Sequence, residues 1–149
     1  MVLEFKRAVV PDVESVLPMM ADFYLHEGLA FDPVVARRAL SGLLNNASYG
    51  QAFLIKVDNE VAGYTILTFG YSLEFGGVDA FVDELYLCEE TRGQGIGKAT
   101  LEFLAATCVA LGIRALHLEV ERANPRAQAV YRRFGFVDHD RYLLTKWLL

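Results

Sequence analysis

Apolar positions recur along this chain with two different periods, and the switches between them divide it into elements. Leu3 to Val9 reads as a short first strand. Val13, Val16, Leu17, Met20 and Tyr24 then follow a helical repeat behind Pro11 and Asp12. Pro18 should kink that helix, because its ring opposes the carbonyl of Glu14. Asp32-Pro33 reads as an N-cap followed by proline at the first helical position, with Ala36, Leu40, Leu43 and Leu44 on one face. Between the two helices, His26-Glu27-Gly28 marks a break where a loop can form.

Strand texture follows. Ala52 to Val57 and Val61 to Phe69 flank Asp58-Asn59 and predict an antiparallel hairpin. After Gly76-Gly77 comes a long third run, Val78 to Leu87. Helical spacing returns at Leu101, Leu104, Cys108 and Leu111 and stops at Gly112. Ala115 to Glu121 alternates, with Leu116, Leu118 and Val120 on one side and His117, Glu119 and Glu121 on the other. Asn124-Pro125 opens a last helix through Phe134, and Phe136 to Leu149 supplies closing strands. The expectation is an α/β protein of the α+β type: a mixed, mostly antiparallel sheet of about seven strands with about four helices.

Composition narrows the class. A chain of 149 residues with a hydrophobic fraction of 54% is expected to fold as one domain over 1–149. Met1 to Arg7 carries charge and lacks the apolar core of a signal peptide, and no apolar run is long enough to span a membrane. Cys88 and Cys108 are too few for a disulfide framework, and the expected setting is cytoplasmic. The net charge of −5 argues against nucleic acid as a partner. Its distribution says more. Residues 92–133 hold seven basic side chains against three acidic ones, whereas the rest holds seven against sixteen. One segment suits an anion and the remainder suits a cation.

The basic segment opens with Arg92-Gly93-Gln94-Gly95-Ile96-Gly97-Lys98, set between a strand and a helix. Glycines there let the backbone turn sharply, and the helix that follows aims its positive end at the same place, which makes a pyrophosphate site. A nucleoside-triphosphate loop would need glycine at position 92 and a hydroxyl residue after Lys98, where Ala99 stands. A dinucleotide fingerprint would need glycine in place of Lys98 and a βαβ context. Glu119 lies near the distance of a ribose-binding acid, yet the loop follows an antiparallel meander.

What fits is Arg-x-x-Gly-x-Gly. Together with Asp83-Glu84-Leu85-Tyr86-Leu87 before it, and Asn124-Pro125-x-Ala127 and Tyr131-x-x-Phe134-Gly135-Phe136 after it, the segment 83–137 closely resembles the GNAT superfamily of acetyl-CoA-dependent N-acetyltransferases. The resemblance implies acetyl-CoA as co-substrate. The backbone of Leu85 and Leu87 would pair with the pantetheine arm, and the amides of Arg92, Gly93, Gln94, Gly95, Ile96, Gly97 and Lys98 would hold the pyrophosphate. Asn124 would bond the cofactor arm, while Arg126, Arg132 and Arg133 are candidates for the outer phosphate.

Tyr131 resembles the family's general acid. A phenol near pKa 10 and a thiol near 8.5 differ by about 2 kcal/mol, a small barrier to reprotonating a departing thiolate. The base is Glu84 or Asp83, with Glu84 preferred; either could equally bind the substrate as an anion. Direct transfer from an ordinary ammonium to an ordinary glutamate is uphill by roughly 8 kcal/mol, so the base needs a raised pKa, a water relay or a proton lost after attack begins. Which carboxyl faces the site depends on a bulge.

His26 and Glu27 are candidates for lining the acceptor pocket, Cys88 reads as a small buried thiol, and the three histidines form no metal cluster. Tyr71 to Gly77 before Asp83-Glu84-Leu85 looks like the diamine and polyamine branch, although that branch has the two acids in the opposite order. The acceptor expected is a small cationic amine or a lysine-like group. The alternative is a non-catalytic module that binds acyl-CoA. The apolar ending through Trp147, Leu148 and Leu149 predicts burial by the sheet or by a second subunit, and the family resemblance implies a homodimer.

Overall fold

The structure is a computed structural model that describes residues 1–149. Residues 1–118 form one compact unit and 119–149 a second. In the first, β1 (Leu3–Arg7) leads through a 3-10 turn at Val10–Asp12 into α1 (Val13–Glu27) and α2 (Pro33–Leu44). Then come β2 (Gly50–Val57), β3 (Glu60–Ser72), β4 (Gly77–Leu87), α3 (Ile96–Ala110) and β5 (Ala115–His117). The sheet order is β1-β2-β3-β4-β5, with antiparallel pairs as far as β4 and a parallel pair between β4 and β5.

Local chemistry accounts for most boundaries. The Asp32 carboxylate accepts from the amides of Val34 (2.9 Å) and Val35 (3.3 Å), satisfying donors that the first turn of α2 leaves open. Asp58 and Asn59 take φ of 50° and 68°, the two left-handed residues of a tight hairpin whose twist matches that of β2 and β3. The helix α1 runs unbroken past Pro18, and His26 and Glu27 belong to its last turn; the chain leaves at Gly28, φ 68°. The expected break at His26-Glu27-Gly28 is thus the end of α1, and Val13, Val16, Leu17 and Met20 bury the helix in the core.

Alternation along the strands gives each face of the sheet its own core. Ala52, Leu54, Tyr64, Ile66 and Tyr86 pack against α1 and against Ala36 and Leu40 of α2. Phe53, Leu67 and Ala80 pack on the other face against Leu104 and Cys108 of α3, with Phe103 stacked on Phe5 at 4.4 Å.

Five strands stand where periodicity predicts about seven. Pairing in β5 ends at His117, short of Glu121, and no strand forms between Phe136 and Leu149. Alternation records which side chains a sheet could bury; a strand also needs a partner backbone within hydrogen-bonding reach. Tyr142, Leu143, Leu144, Trp147 and Leu148 are at least 74% exposed.

The second unit carries α4 (Pro125–Arg133), capped by the Asn124 side chain, which accepts from the amide of Ala127 at 3.1 Å. Arg132 forms a fork onto Asp138 (Nε to Oδ1 2.8 Å, Nη2 to Oδ2 2.6 Å), which holds that aspartate below the usual carboxylate range.

Leu104 has no exposed surface and touches both the sheet and the α3 side of the core. Leu104→Ala is expected to cost about 2–5 kcal/mol in urea unfolding. A loss below about 1 kcal/mol would mean that α3 closes over the gap.

Candidate active site

The site begins with one irregularity in β4. Glu84 pairs with Ile66 of β3, and the next partner, Leu67, pairs with Val82, so Asp83 is an extra residue opposite no partner. Ala80 and Val82 face the α3 side, whereas Glu84 and Tyr86 face α1 and α2. An even-numbered series that a regular strand would keep on one face is split between two. The carboxyls of Asp83 and Glu84 consequently line the same cavity.

That cavity, about 470 Å³, is bounded by Met20 and Tyr24 of α1, Phe31 and Asp32 before α2, Leu40 and Leu43 of α2, and Ile66 and Thr68 of β3. No lysine, arginine or histidine lines it. Glu84 is buried, and both of its oxygens accept phenolic hydrogens: Oε1 from Tyr64 and Oε2 from Tyr24, each at 2.6 Å. Burial pushes the Glu84 carboxyl up, and the two tyrosine hydrogen bonds pull back against it. Burial also raises both phenols, and their bonds to Glu84 raise them further. Asp83 is open to the cavity, yet the surrounding walls withdraw it from bulk water and lift its carboxyl above the ordinary range.

The far edge of β4 is the second feature. Its ladder with β5 covers only Asp79–Phe81 against Ala115–His117. Beyond it, the carbonyl of Glu84 accepts from the Thr65 hydroxyl, and the amide of Cys88 donates to the Ala62 carbonyl, so these residues turn their backbone toward β3. Leu85 and Leu87 alternate with them and present backbone groups to the opposite, unpaired edge. The Leu87 carbonyl there accepts from Arg92 Nε at 2.8 Å, and the guanidinium lies 5.6 Å from the Tyr86 ring centre.

Leu85, Leu87 and Arg92 share a recess of about 250 Å³ with Phe23, His26, Glu27 and Tyr86. His26 and Glu27 thus stand beside the β4 edge, whereas Asp83 and Glu84 belong to the other cavity. The Tyr86 hydroxyl donates to Asp22, and burial followed by this bond pushes the phenol up to about 12. Cys88 packs at the margin of the core, and burial raises its thiol, which keeps it protonated and unsuited to attack.

The glycine loop completes the geometry. Gly93 and Gly95 have φ of 75° and 81°, and Gly95 stands at the N-cap of α3 with no side chain capping it. The leading amides at Ile96, Gly97 and Lys98 have no partner within the helix, by the geometry of any helix start. A 15-residue helix whose first turn holds no acidic residue therefore offers its donors and its positive end to an anion. These features fit a pyrophosphate beside an extended amide-bearing arm.

A model of the acetyltransferase (GNAT) family matches residues 18–136. This chain belongs to the GNAT acetyltransferase family. The family uses acetyl-CoA as co-substrate, in keeping with the loop and the open strand edge. Among curated relatives, the GNAT chain is 33% identical over 78 residues to a thialysine N-epsilon-acetyltransferase of Bos taurus, covering 52% of this chain and 45% of that enzyme. It spans less than half the length of the curated relatives it matches. An integron cassette protein from the mobile metagenome of Cole Harbour Salt Marsh shares 35% identity and the fold, with a TM-score of 0.84 over 97% of this chain and 90% of its own. A predicted acetyltransferase of Clostridium acetobutylicum, solved with acetyl-CoA, has a TM-score of 0.81 at 17% identity, over 97% of this chain and 96% of its own.

Spacing in the sequence points to Asp83, Glu84 and the loop but not to Tyr24 and Tyr64, which look like ordinary core aromatics on a helix and a strand. A phenol at a core position signals a buried polar partner, and that is the clue they offered. In the second unit, Asn124 caps α4, and the Tyr131 ring meets Phe136 at 6.1 Å.

An added Cβ at Gly95 would meet nothing within 4 Å, so Gly95→Ala tests backbone conformation alone. The left-handed φ is expected to cost about 1–2 kcal/mol of stability in urea unfolding and to weaken binding of coenzyme A measured by calorimetry. Unchanged coenzyme A affinity would remove the loop from the binding site.

Proposed function

We propose that the chain is an N-acetyltransferase moving the acetyl group of acetyl-CoA onto the primary amine of a small cationic or lysine-like acceptor. One observation carries the reading. The bulge delivers two carboxyls to an apolar cavity without basic residues, next to a strand edge with unpaired backbone groups. Such walls accept an aliphatic stem and attract an ammonium head. The similarity to a thialysine N-epsilon-acetyltransferase supports an acceptor of that chemistry.

Acetyl-CoA supplies an activated acyl thioester. Leu85 and Leu87 align its pantetheine arm through their backbone, and the Arg92–Lys98 loop neutralises the pyrophosphate. Arg92 would leave the Leu87 carbonyl to do so. Asn124 contacts the arm, Arg126 and Arg133 approach the outer phosphate, and His26 and Glu27 bound the recess at the arm's edge. A carboxylate of the Asp83–Glu84 pair takes a proton from the acceptor ammonium, and Tyr131 returns one to the departing sulfur. The exposed run from Tyr142 to Leu149 suits an interface between two copies of the chain. Cytoplasmic surroundings suit its free Cys88 and Cys108.

Thiol release from acetyl-CoA, measured against a panel of diamines, polyamines, lysine-like amines and aminoglycosides, tests the proposal. At least one cationic amine is expected to raise the rate well above buffer, and Tyr131→Phe to lower kcat by about 10²–10⁴ with little change in acetyl-CoA affinity. A protein that gains thermal stability from acetyl-CoA but releases no thiol with any amine would be an acyl-CoA-binding module, and the catalytic reading would be wrong.

A further inference from the structure

Two carboxyls share one cavity, but their surroundings divide the work between them. Glu84 is held from two elements: Tyr64 of β3, 1% exposed, and Tyr24 of α1, whose ring packs edge-on against Phe31 at 5.4 Å. Each glutamate oxygen already accepts a hydroxyl hydrogen. Taking a proton would weaken both of those bonds, because a neutral carboxyl is a poorer acceptor than a carboxylate, so the two phenols favour the charged form. Asp83 has no such constraint. As the extra residue of the bulge, it projects into the cavity with no protein donor on its carboxyl.

We propose that Asp83, not Glu84, takes the proton from the attacking amine, and that Glu84 is a positioning residue pinned as an anion by Tyr24 and Tyr64. The assignment rests on the acetyl-transfer reading and reverses the preference that the sequence alone suggests. Two neighbouring carboxyls compete for one proton; burial and the Asp83 charge raise Glu84, and its two phenolic donors act against them in favour of its charged form. The titratable groups on this cavity are Tyr24 from α1, Asp32 at the head of α2, and Asp83 and Glu84 from β4, with Tyr64 behind Glu84 from β3. No cation among them lowers the proton affinity of Asp83, and burial raises it.

Asp83 carboxylate accepts one proton from the ammonium and becomes a carboxylic acid, freeing the nitrogen lone pair. That pair forms the bond to the acyl carbon, the carbon–sulfur bond breaks, and sulfur leaves with its electrons. The nitrogen loses a second proton, sulfur gains one, and Asp83 returns its proton to water. The sum is ammonium plus thioester giving amide, thiol and one released proton. A raised Asp83 shortens the uphill transfer that an ordinary carboxylate would face.

The proton-affinity order can be read without turnover, by following the side-chain carboxyl carbons of Asp83 and Glu84 in the wild-type chain by ¹³C NMR against pH. Asp83 is expected to titrate above Glu84; the reverse order overturns the assignment even if no acceptor is found. With an accepted amine, the pH dependence of kcat/KM gives the kinetic counterpart. A base with a raised pKa loses its function as pH falls through that value, so the acid limb should lie above the ordinary aspartate value of about 3.8.

Asp83→Asn should remove that limb and lower kcat by about 10²–10⁴. Tyr24→Phe should keep the limb, shift it downward because a Glu84 that takes up a proton no longer repels the Asp83 carboxylate, and lower kcat less than tenfold. If Glu84→Gln erases the limb while Asp83→Asn retains it, the roles are the other way round. A wild-type chain that acetylates no amine defeats the acetyl-transfer function itself, a result distinct from an inverted carboxyl order.

Discussion

One extra residue in β4 determines how the rest of the site is arranged. Were Asp83 in register, Glu84 and Tyr86 would continue the face of Ala80 and Val82 and meet α3. A glutamate turned into Phe53, Leu67 and Leu104 would have no donors there and would carry the full cost of a buried charge. The bulge moves it to the face where Tyr64 and Tyr24 supply two donors and where the loop before α2 leaves a cavity. Tyr86 travels with it and finds Asp22. A register shift of one thus relocates every later side chain of the strand, and the carboxylate pair is its local consequence.

The same strand has unequal edges. Toward β3 it is paired along its length; toward β5 only three residues are paired. An open edge with free backbone groups invites association, and proteins usually cover or charge it. Here Arg92 covers part of it by holding the Leu87 carbonyl and lying over Tyr86. Arg92 also opens the glycine loop, so one side chain connects the strand edge to the anion-binding turn. The two recesses that flank this strand differ accordingly. The one at the edge contains Arg92, His26 and Glu27, while the one behind the bulge contains acids, hydroxyls and apolar groups but no basic side chain.

Features set by a few consecutive residues could be read from the sequence. The Asp58-Asn59 hairpin, the Asp32 and Asn124 caps and the glycine turn before α3 follow from backbone preferences that neighbours hardly alter. Features set by cross-strand partners could not. Asp83 as a bulge is invisible without Ile66 and Leu67, and Tyr24 lies 60 residues from the Glu84 that it binds. Apolar alternation misled at residues 118–121 and 136–149 because it measures capacity for burial and not the presence of a partner.

Charge separation along the sequence acquires a physical meaning in these two recesses. The acidic excess outside residues 92–133 includes Asp32, Asp83 and Glu84 of one cavity, and the basic excess within that segment includes Arg92 and Lys98 of the loop. A cavity with carboxyls and no counter-cation is costly to leave empty of positive charge, because desolvation lifts both acids at once. An ammonium entering it would relieve that cost before giving up its proton to the less constrained acid. The apolar walls formed by α2 would then discriminate by the stem that carries the nitrogen, since a polar stem would lose its water there without finding donors. On the proposed reading, affinity for the charge and selection for the chain would come from different residues, the first from β4 and the second from α2.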